Sequence, residues 1–504
     1  MKTVVNSREM KNCDRNTIEY FNIPSLVLME RAALSVVDEV ERACEHAEHI
    51  LIVCGAGNNG GDGFAVARML YLKRYQIDVV LIGDEEKATN DTKHQMKCLD
   101  QYKIPVLKEI PEKSYTLIID SLFGIGLSRN VEGNFRHTIE KLNQMEAYKI
   151  SVDVPSGINT DTGAVMGAAF CADLTVSFAY QKLGTVLFPG RDYCGVTVIK
   201  DIGITEESFC FDEVNTYSFE PSDLTLLPKR QGRSNKGTYG KVLTAAGCKN
   251  MAGAAYLSGK SSYVTGCGLV NLFSEERNRV ILQTLLPEAV LTTYQEQKLE
   301  HIRETLDQVL KQASVTTIGP GLGTSETSKT IVRHILQNAD SPVVLDADGL
   351  NIAAKQIELL AKCKGELIIT PHLGEMARLC GKDISYIKDN LIATAKDFAD
   401  KYHVICVLKD ACTVTAIPGG EIYINQSGNP GMSTAGSGDV LTGIIAGLIA
   451  QEMPPSLAAP LGVYIHGLAG DYAAQQRGMH GMTAGDLLEG IVNVMNQKRR
   501  QVIE

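Results

Sequence analysis

The sequence predicts two α/β domains, each built on a parallel sheet covered by helices. Three observations carry this. Short apolar runs alternate with amphipathic stretches; glycine-rich loops directly follow several of those runs; and a polar break interrupts the pattern before it restarts. In the first half the runs are His49–Cys54, Asp78–Gly83, Thr116–Asp120, Lys149–Asp153 and Leu174–Phe178, with a helix expected over Phe64–Tyr75. From Glu206 to Arg233 the period dissolves around Pro221 and Pro228, and the linker is placed there. The domains are therefore expected over residues 1–215 and 222–504. The second resumes at Lys241–Ala246 and continues through Val315–Ile318, Pro342–Asp346, Glu366–Thr370 and Val404–Lys409. Val440–Ala450 is too short for a bilayer and reads as a buried helix.

Composition narrows the function classes. With 44% hydrophobic and 21% charged residues, the 504-residue chain is not of the disordered class. A formal charge of −10 removes the global basic footprint of a nucleic-acid binder. The 13 cysteines form no CxxC pair, which fits neither a disulfide framework nor a zinc site. The amino terminus carries no apolar signal core, so a cytoplasmic protein acting on small molecules is expected, with no membrane or nucleic-acid partner.

The chemistry sits in loops that follow strands, where open α/β sheets bind ligands. Gly55-Ala-Gly57-Asn58-Asn59-Gly60-Gly61-Asp62-Gly63 fits a dinucleotide fingerprint in strand–loop–helix context. Its two Asn and one Asp offer oxygens to a cation or to hydroxyls more than they offer helix packing. Asp120-Ser-Leu-Phe-Gly124-Ile-Gly126-Leu-Ser128-Arg129 and Asp153-Val-Pro155-Ser156-Gly157 follow the next strands. In a parallel sheet these loops share one edge. Asn59, Asp120 and Ser156 can then converge on a hard cation, leaving Asp153 as a general acid or base. Each Asp alone is more often a cap or turn former; three glycine-bearing loops together are harder to explain that way.

In the second domain Gly253–Ser261 imitates a phosphate-binding P-loop, but Ala254 stands where its first Gly belongs, and the stretch reads as helix. The stronger signal is Asn429-Pro-Gly431-Met-Ser-Thr434-Ala435-Gly436-Ser437-Gly438-Asp439 before the apolar helix. Gly436, Ser437 and Gly438 can aim several backbone N–H groups at one anion, with Asp439 placed to take a hydroxyl proton. That is a phosphoryl-transfer arrangement without a P-loop. Gly319-Pro-Gly321-Leu-Gly323, Asp346-Ala-Asp348, Thr370-Pro-His372-Leu-Gly374-Glu375 and Lys409–Thr413 are supporting loops at strand ends, and the Asp346/Asp348 pair can support Mg²⁺ through water.

These motifs, in this order, resemble a known combination. LMERAA from Leu28, GAGNNGGDG, DSLFGIGLSR and DVPSG resemble the YjeF N-terminal NAD(P)H-hydrate epimerases. NKGTYGKVL, MAGAA, GPGLG, VVLDADGLN, TPHLGE and NPGMSTAGSGDVLTG resemble the ribokinase-like NAD(P)H-hydrate dehydratases. Nearly the whole chain is covered, and the whole resembles the bifunctional nicotinamide nucleotide repair family. The resemblance implies a Rossmann-like three-layer domain followed by a ribokinase-like α/β domain. It implies epimerisation of hydrated NADH or NADPH, then ADP-dependent dehydration of the S epimer, releasing AMP and phosphate.

Carried over residue by residue, Asn58, Asn59, Gly60, Gly61 and Asp62 would contact the hydrated dinucleotide. So would Gly124, Ile125, Gly126, Leu127, Ser128, Arg129 and Asn130, with Asp153. Asn59, Asp120 and Ser156 would hold K⁺. Gly253, Gly321, His372 and Asp439 would contact the hydrate in the second domain. Lys409, Asp410, Ala411, Cys412 and Thr413, with Gly436, Ser437 and Gly438, would contact ADP, with Mg²⁺ on its phosphates. A homo-oligomer is expected. Asn235, Asp410 and Ala435 depart from the family's usual His, Gly and Gly, and Ala435 would be strained wherever φ must be positive. The competing reading is a small-molecule kinase carrying a ligand-binding first domain.

Overall fold

The structure is a computed structural model that describes residues 1–43, 49–210, 212–296 and 298–501. Two compact units divide the chain, one of Lys2–Thr216 and one of Tyr217 onward together with Met1. The division falls inside the polar break. That stretch is not featureless: it holds 3₁₀ turns at Glu206–Phe209 and Pro221–Leu226 and a short strand.

The first unit contains β1 (Lys2–Val5), β2 (His49–Cys54), β3 (Gln76–Leu81), β4 (Val106–Leu107), β5 (Leu117–Ser121), β6 (Tyr148–Val152), β7 (Leu174–Phe178), β8 (Gln181–Lys182) and β9 (Val196–Lys200). Seven of them form one sheet in the order β4-β3-β2-β5-β6-β7-β9, every pair parallel. β1 and β8 pair separately, with Val5 opposite Lys182. The pleat explains why the strands read as continuous apolar runs. Ile50, Ile52, Leu117 and Ile119 pack into the core on one face, while Leu51, Val53 and Ile118 pack into the core on the other.

The strand order reverses between β2 and β5, so the loops after these two strands flank the crevice where such sheets bind ligands. The helix after β2 spans Asn58–Leu72 and starts six residues before the expected Phe64. Gly57 is its N-cap in extended conformation, and the glycines that read as loop form its first turns. Gly60 is required there: a Cβ on it would lie 1.8 Å from the Gly55 carbonyl oxygen. Gly60→Ala is therefore expected to push the helix off the strand end and cost about 1–3 kcal/mol. Thermal unfolding should show a drop of about 2–4 °C per kcal/mol; an unchanged unfolding temperature would refute the close approach.

The second unit follows β10 (Thr216–Ser218) at the boundary. It contains β11 (Lys241–Ala245), β12 (Leu269–Glu275), β13 (Val290–Tyr294), β14 (Val315–Ile318), β15 (Val343–Leu345), β16 (Leu367–Ile369), β17 (Ile405–Leu408), β18 (Val414–Ala416) and β19 (Ile422–Ile424). The order is β13-β12-β11-β14-β15-β16-β17-β18-β19, parallel as far as β17 and antiparallel beyond it. Here the order reverses between β11 and β14. The apolar helix spans Ser437–Ala450 and is buried almost throughout. It lies close against the helix Ala252–Thr265, where a Cβ on Gly443 would meet Ser261 Oγ at 1.9 Å. The P-loop imitation lies inside that second helix, so it forms no phosphate loop. Among the described residues no helix is long and apolar enough to cross a membrane.

Candidate active sites

In the first unit a cavity of about 760 Å³ opens at the crevice. Its wall includes Asn58, Asn59, Asp62, Gly124, Ile125, Gly126, Leu127, Ser128, Arg129 and Asp153. Three expected contacts are not in that wall. Gly60 packs on Gly55; Gly61 faces the protein, where a Cβ would lie 2.6 Å from Met29 Cε; and Asn130 is exposed beyond the lining loop. Gly60 and Gly61 thus serve packing, because the loop they were assigned to is a helix buried against β2.

Asp120 is the second-last residue of β5, with its side chain wholly buried. Its Oδ1 accepts from Ser156 Oγ at 2.6 Å and from the Leu122 amide at 3.2 Å. Its Oδ2 accepts from the Ser156 amide at 2.8 Å and from Ser151 Oγ at 3.3 Å. No Lys, Arg or His pairs with it among the described residues. Burial pushes its pKa up to about 6, although the Ser156, Leu122 and Ser151 hydrogen bonds pull the other way. Asn59 sits against Gly124 beside this group, and its Nδ2 is buried without a partner. The buried Asp120 carboxylate, which has no cationic side chain paired with it among the described residues, and the Ser156 hydroxyl are oxygen-donor chemistry suited to a hard monovalent cation, to which Asn59 would add its side-chain oxygen.

Asp153 follows β6 with φ of +69°, a conformation that costs a non-glycine residue about 1–3 kcal/mol. Its Oδ1 receives Lys182 Nζ at 2.6 Å, and Lys182 is 1% exposed. Lys182 was not legible as a site residue: it lies on the two-residue strand β8, in no motif. Asp14, Met10 and Met29 line the same cavity from helices near the amino terminus; Met29 lies in the LMERAA segment, while no motif marked Asp14 or Met10. Glu30, within the LMERAA segment, is held by Arg68 and Gln95 and does not line the cavity.

In the second unit the helix at Ser437 begins without a side-chain cap, and Gly436 adopts φ of +89°. Its first-turn N–H groups therefore need an outside acceptor. Ala435 is not among the residues with positive φ, so the expected strain is absent. Asp439 lies in that first turn. Burial, and then the Asp346 charge, raise its pKa to about 7, while Lys409 acts against the rise. Asp346 is fully engaged: Oδ1 accepts from Lys409 Nζ at 2.9 Å and Oδ2 from Thr442 Oγ1 at 2.8 Å.

Lys409 therefore separates from the residues it was grouped with. Its ammonium turns to Asp346 and lies 3.3 Å from where a Cβ on Gly438 would stand. Asp410, Ala411, Cys412 and Thr413 instead make the turn into β18. There Thr413 Oγ1 donates to the Asp410 carbonyl, and the buried Cys412 thiol donates to the Asn425 carbonyl. Cys412 is thus a packing residue, because the hairpin β18–β19 folds over it.

His372 caps the helix Leu373–Cys380. Its Nδ1 accepts from the amides of Gly374 and Glu375, which places the proton of the neutral ring on Nε2. His372 can donate to a ligand from Nε2, and burial lowers its basicity further. Gly321, at φ +57°, sits against Met251 and Ala254, while Gly253 has open space at its Cα. Asp348 accepts from the Gly323 amide at 2.8 Å. His466, which no sequence signal marked, meets Ser437 Oγ at 3.2 Å and is kept neutral by burial, its pKa lowered to about 4. Asn235 caps the turn Lys236–Tyr239 in place of the family's His.

Residues 25–184 match the family described as YjeF-related protein N-terminus, and residues 242–493 match the family described as NAD(P)H-hydrate dehydratase. The bifunctional NAD(P)H-hydrate repair enzyme of Moorella thermoacetica is 37% identical, the alignment covering 99% of this chain and 98% of that one. The repair enzyme of the same name from Escherichia coli is 32% identical over 98% of this chain and 94% of its own. Among solved structures, hypothetic protein SMU.573 of Streptococcus mutans is 25% identical with a TM-score of 0.50, covering 56% of this chain and 99% of that one.

Proposed function

The chain belongs to the bifunctional NAD(P)H-hydrate repair enzymes, and on that premise we propose how its two units divide one repair. The first interconverts the R and S epimers of hydrated NADH and NADPH. The second dehydrates the S epimer, using ADP and releasing AMP and phosphate. The observation that carries this is the span of the similarity: it covers 99% of this chain and so runs through both units.

In the first unit the cavity holds the hydrated nicotinamide against Asp153. K⁺, held by Asn59, Asp120 and Ser156, would supply a fixed positive charge that orders the Gly124 loop. In the second unit hydroxide is a poor leaving group, so the C6 hydroxyl is phosphorylated before it departs. Asp439 takes the hydroxyl proton, and the Gly436–Gly438 backbone receives the moving phosphoryl group. Lys409, anchored by Asp346, adds a fixed cation beside that backbone. Mg²⁺ would neutralise the phosphates; both Asp346 oxygens are engaged, so Asp346 and Asp348 support it through water. His372 donates from Nε2 to the hydrate. Phosphate then leaves as the N1 lone pair expels it, and loss of the C5 proton restores the dihydronicotinamide.

Two measurements test this reading. Pure S-epimer hydrate supplied with Mg²⁺ and ADP is expected to regain the reduced-nicotinamide absorbance. A stable phosphorylated product without that absorbance would establish the kinase reading instead. For the cation, K⁺ is expected to raise the unfolding temperature of wild-type protein more than Na⁺ does, and Asp120→Asn should abolish the difference. Equal responses of wild type and variant would remove K⁺ from this site.

A further inference from the structure

Three carboxylates and one ammonium share the first-unit cavity. Asp14 comes from the helix Ser7–Glu19, Asp62 from the helix Asn58–Leu72, Asp153 from the loop after β6 and Lys182 from β8, and all four line the wall. Lys182 Nζ donates to Asp153 Oδ1 at 2.6 Å, to the Phe178 carbonyl at 2.6 Å and to Ser177 Oγ at 3.2 Å. Its three protons are thereby committed, and one carboxylate of the three receives the charge. Asp62 has no hydrogen-bond donor on its carboxyl among the described residues, and it faces the charges of Asp153, Asp14 and Asp91. Lys11, Lys87 and Arg129 also line the wall, but none pairs with Asp62 or Asp153 among the described residues.

Two carboxyl groups held in opposite environments over one ligand form an acid–base pair. We propose that Asp62 and Asp153 are that pair in the epimerisation, with Asp62 the proton donor, Asp153 the acceptor and Lys182 the positioning residue that assigns the roles. This rests on the reading of the first unit as the epimerase. Asp62 gives its proton to the C6 hydroxyl oxygen. The C6–O bond breaks, water departs, and the N1 lone pair closes an N1=C6 iminium. Water adds to the other face of C6, the iminium electrons return to N1, and the proton of the added water goes to Asp153. The cavity ends with Asp62 ionised and Asp153 protonated, ready for the reverse turnover or for proton exchange with solvent. Burial and the neighbouring carboxylates hold the Asp62 pKa well above the ordinary carboxyl value, in keeping with a donor, and the Asp14 pKa is raised by burial as well.

The test measures R-to-S conversion by NMR across pH on the full chain. Dehydration of pure S epimer counts active protein, and thermal unfolding checks the first unit. Wild type is expected to lose rate toward high pH as Asp62 gives up its proton. Asp62→Asn should lose about 10²–10⁴-fold in rate and lack that alkaline limb. Lys182→Met should lower the rate about 10-fold or more while keeping the alkaline limb, because Asp153 loses the cation that positions it, and Lys182→Arg should restore most of the rate. Full rate in Asp62→Asn or in Lys182→Met overturns the pair. If Asp62→Asn does not fold, a wild-type profile without an alkaline limb overturns it equally. A wild type that does not epimerise at all sinks the epimerase reading itself, which is a separate result.

Discussion

Asp439→Asn is expected to lower the dehydration rate by about 10²–10⁴-fold while epimerisation proceeds at the wild-type rate. The substitution keeps the shape and removes only the base. The Asp439 carboxyl accepts no hydrogen bond among the described residues, and the Asp346 charge opposes its ionisation. Removing that charge relieves a repulsion, so stability at neutral pH should stay level or rise, the usual trade at an active-site charge. The wild-type dehydration rate should fall as pH drops through about 7, where Asp439 takes up a proton. Epimerisation assayed on the same preparation decides the matter: equal loss of both activities would contradict two separate sites.

Lys409→Met is expected to have the second large effect, on stability as well as rate. Asp346 is 1% exposed and depends on Lys409 and Thr442 for its two oxygens. Stripping the ammonium leaves a buried carboxylate without its cation, at a cost of about 3–5 kcal/mol. The same change removes the positive charge that holds the Asp439 pKa down, so the acid limb of dehydration should move above pH 7. Adding Asp346→Asn to Lys409→Met should restore most of the stability, since no buried charge then stands alone, but not the dehydration rate. Chemical denaturation of the single and double variants checks this. Additive destabilisation in the double variant would show that the pair does not act as a unit.

Much of this site was legible in the sequence because its chemistry depends on the backbone. An acidic residue where an apolar run meets a glycine-bearing loop marks Asp120 and Asp153, and the Gly436-Ser-Gly438 run marks Asp439, without knowledge of distant contacts. The parallel sheets were equally plain, since strands buried on both faces read as unbroken apolar runs. The misplaced features have a common cause. The helix from Asn58 carries Gly60, Gly61 and Gly63 in its first turns, which weaken any helix signal, and tertiary packing of Gly60 on Gly55 overrides that local preference. β18 and β19 are three residues each, too short to show a period, yet their hairpin decides where Cys412 points. Lys182 and His466 lie far in sequence from the groups they meet, so only the fold pairs them with Asp153 and Ser437.

One measurement reaches the central claim, that a single chain carries both halves of the repair. Mixed-epimer NADH hydrate is supplied to the purified protein with K⁺, Mg²⁺ and ADP, and reduced-nicotinamide absorbance is followed to its plateau. The account expects recovery of the whole hydrate pool, faster than spontaneous epimerisation allows. A plateau at the S fraction alone, climbing only at the spontaneous rate, would contradict it.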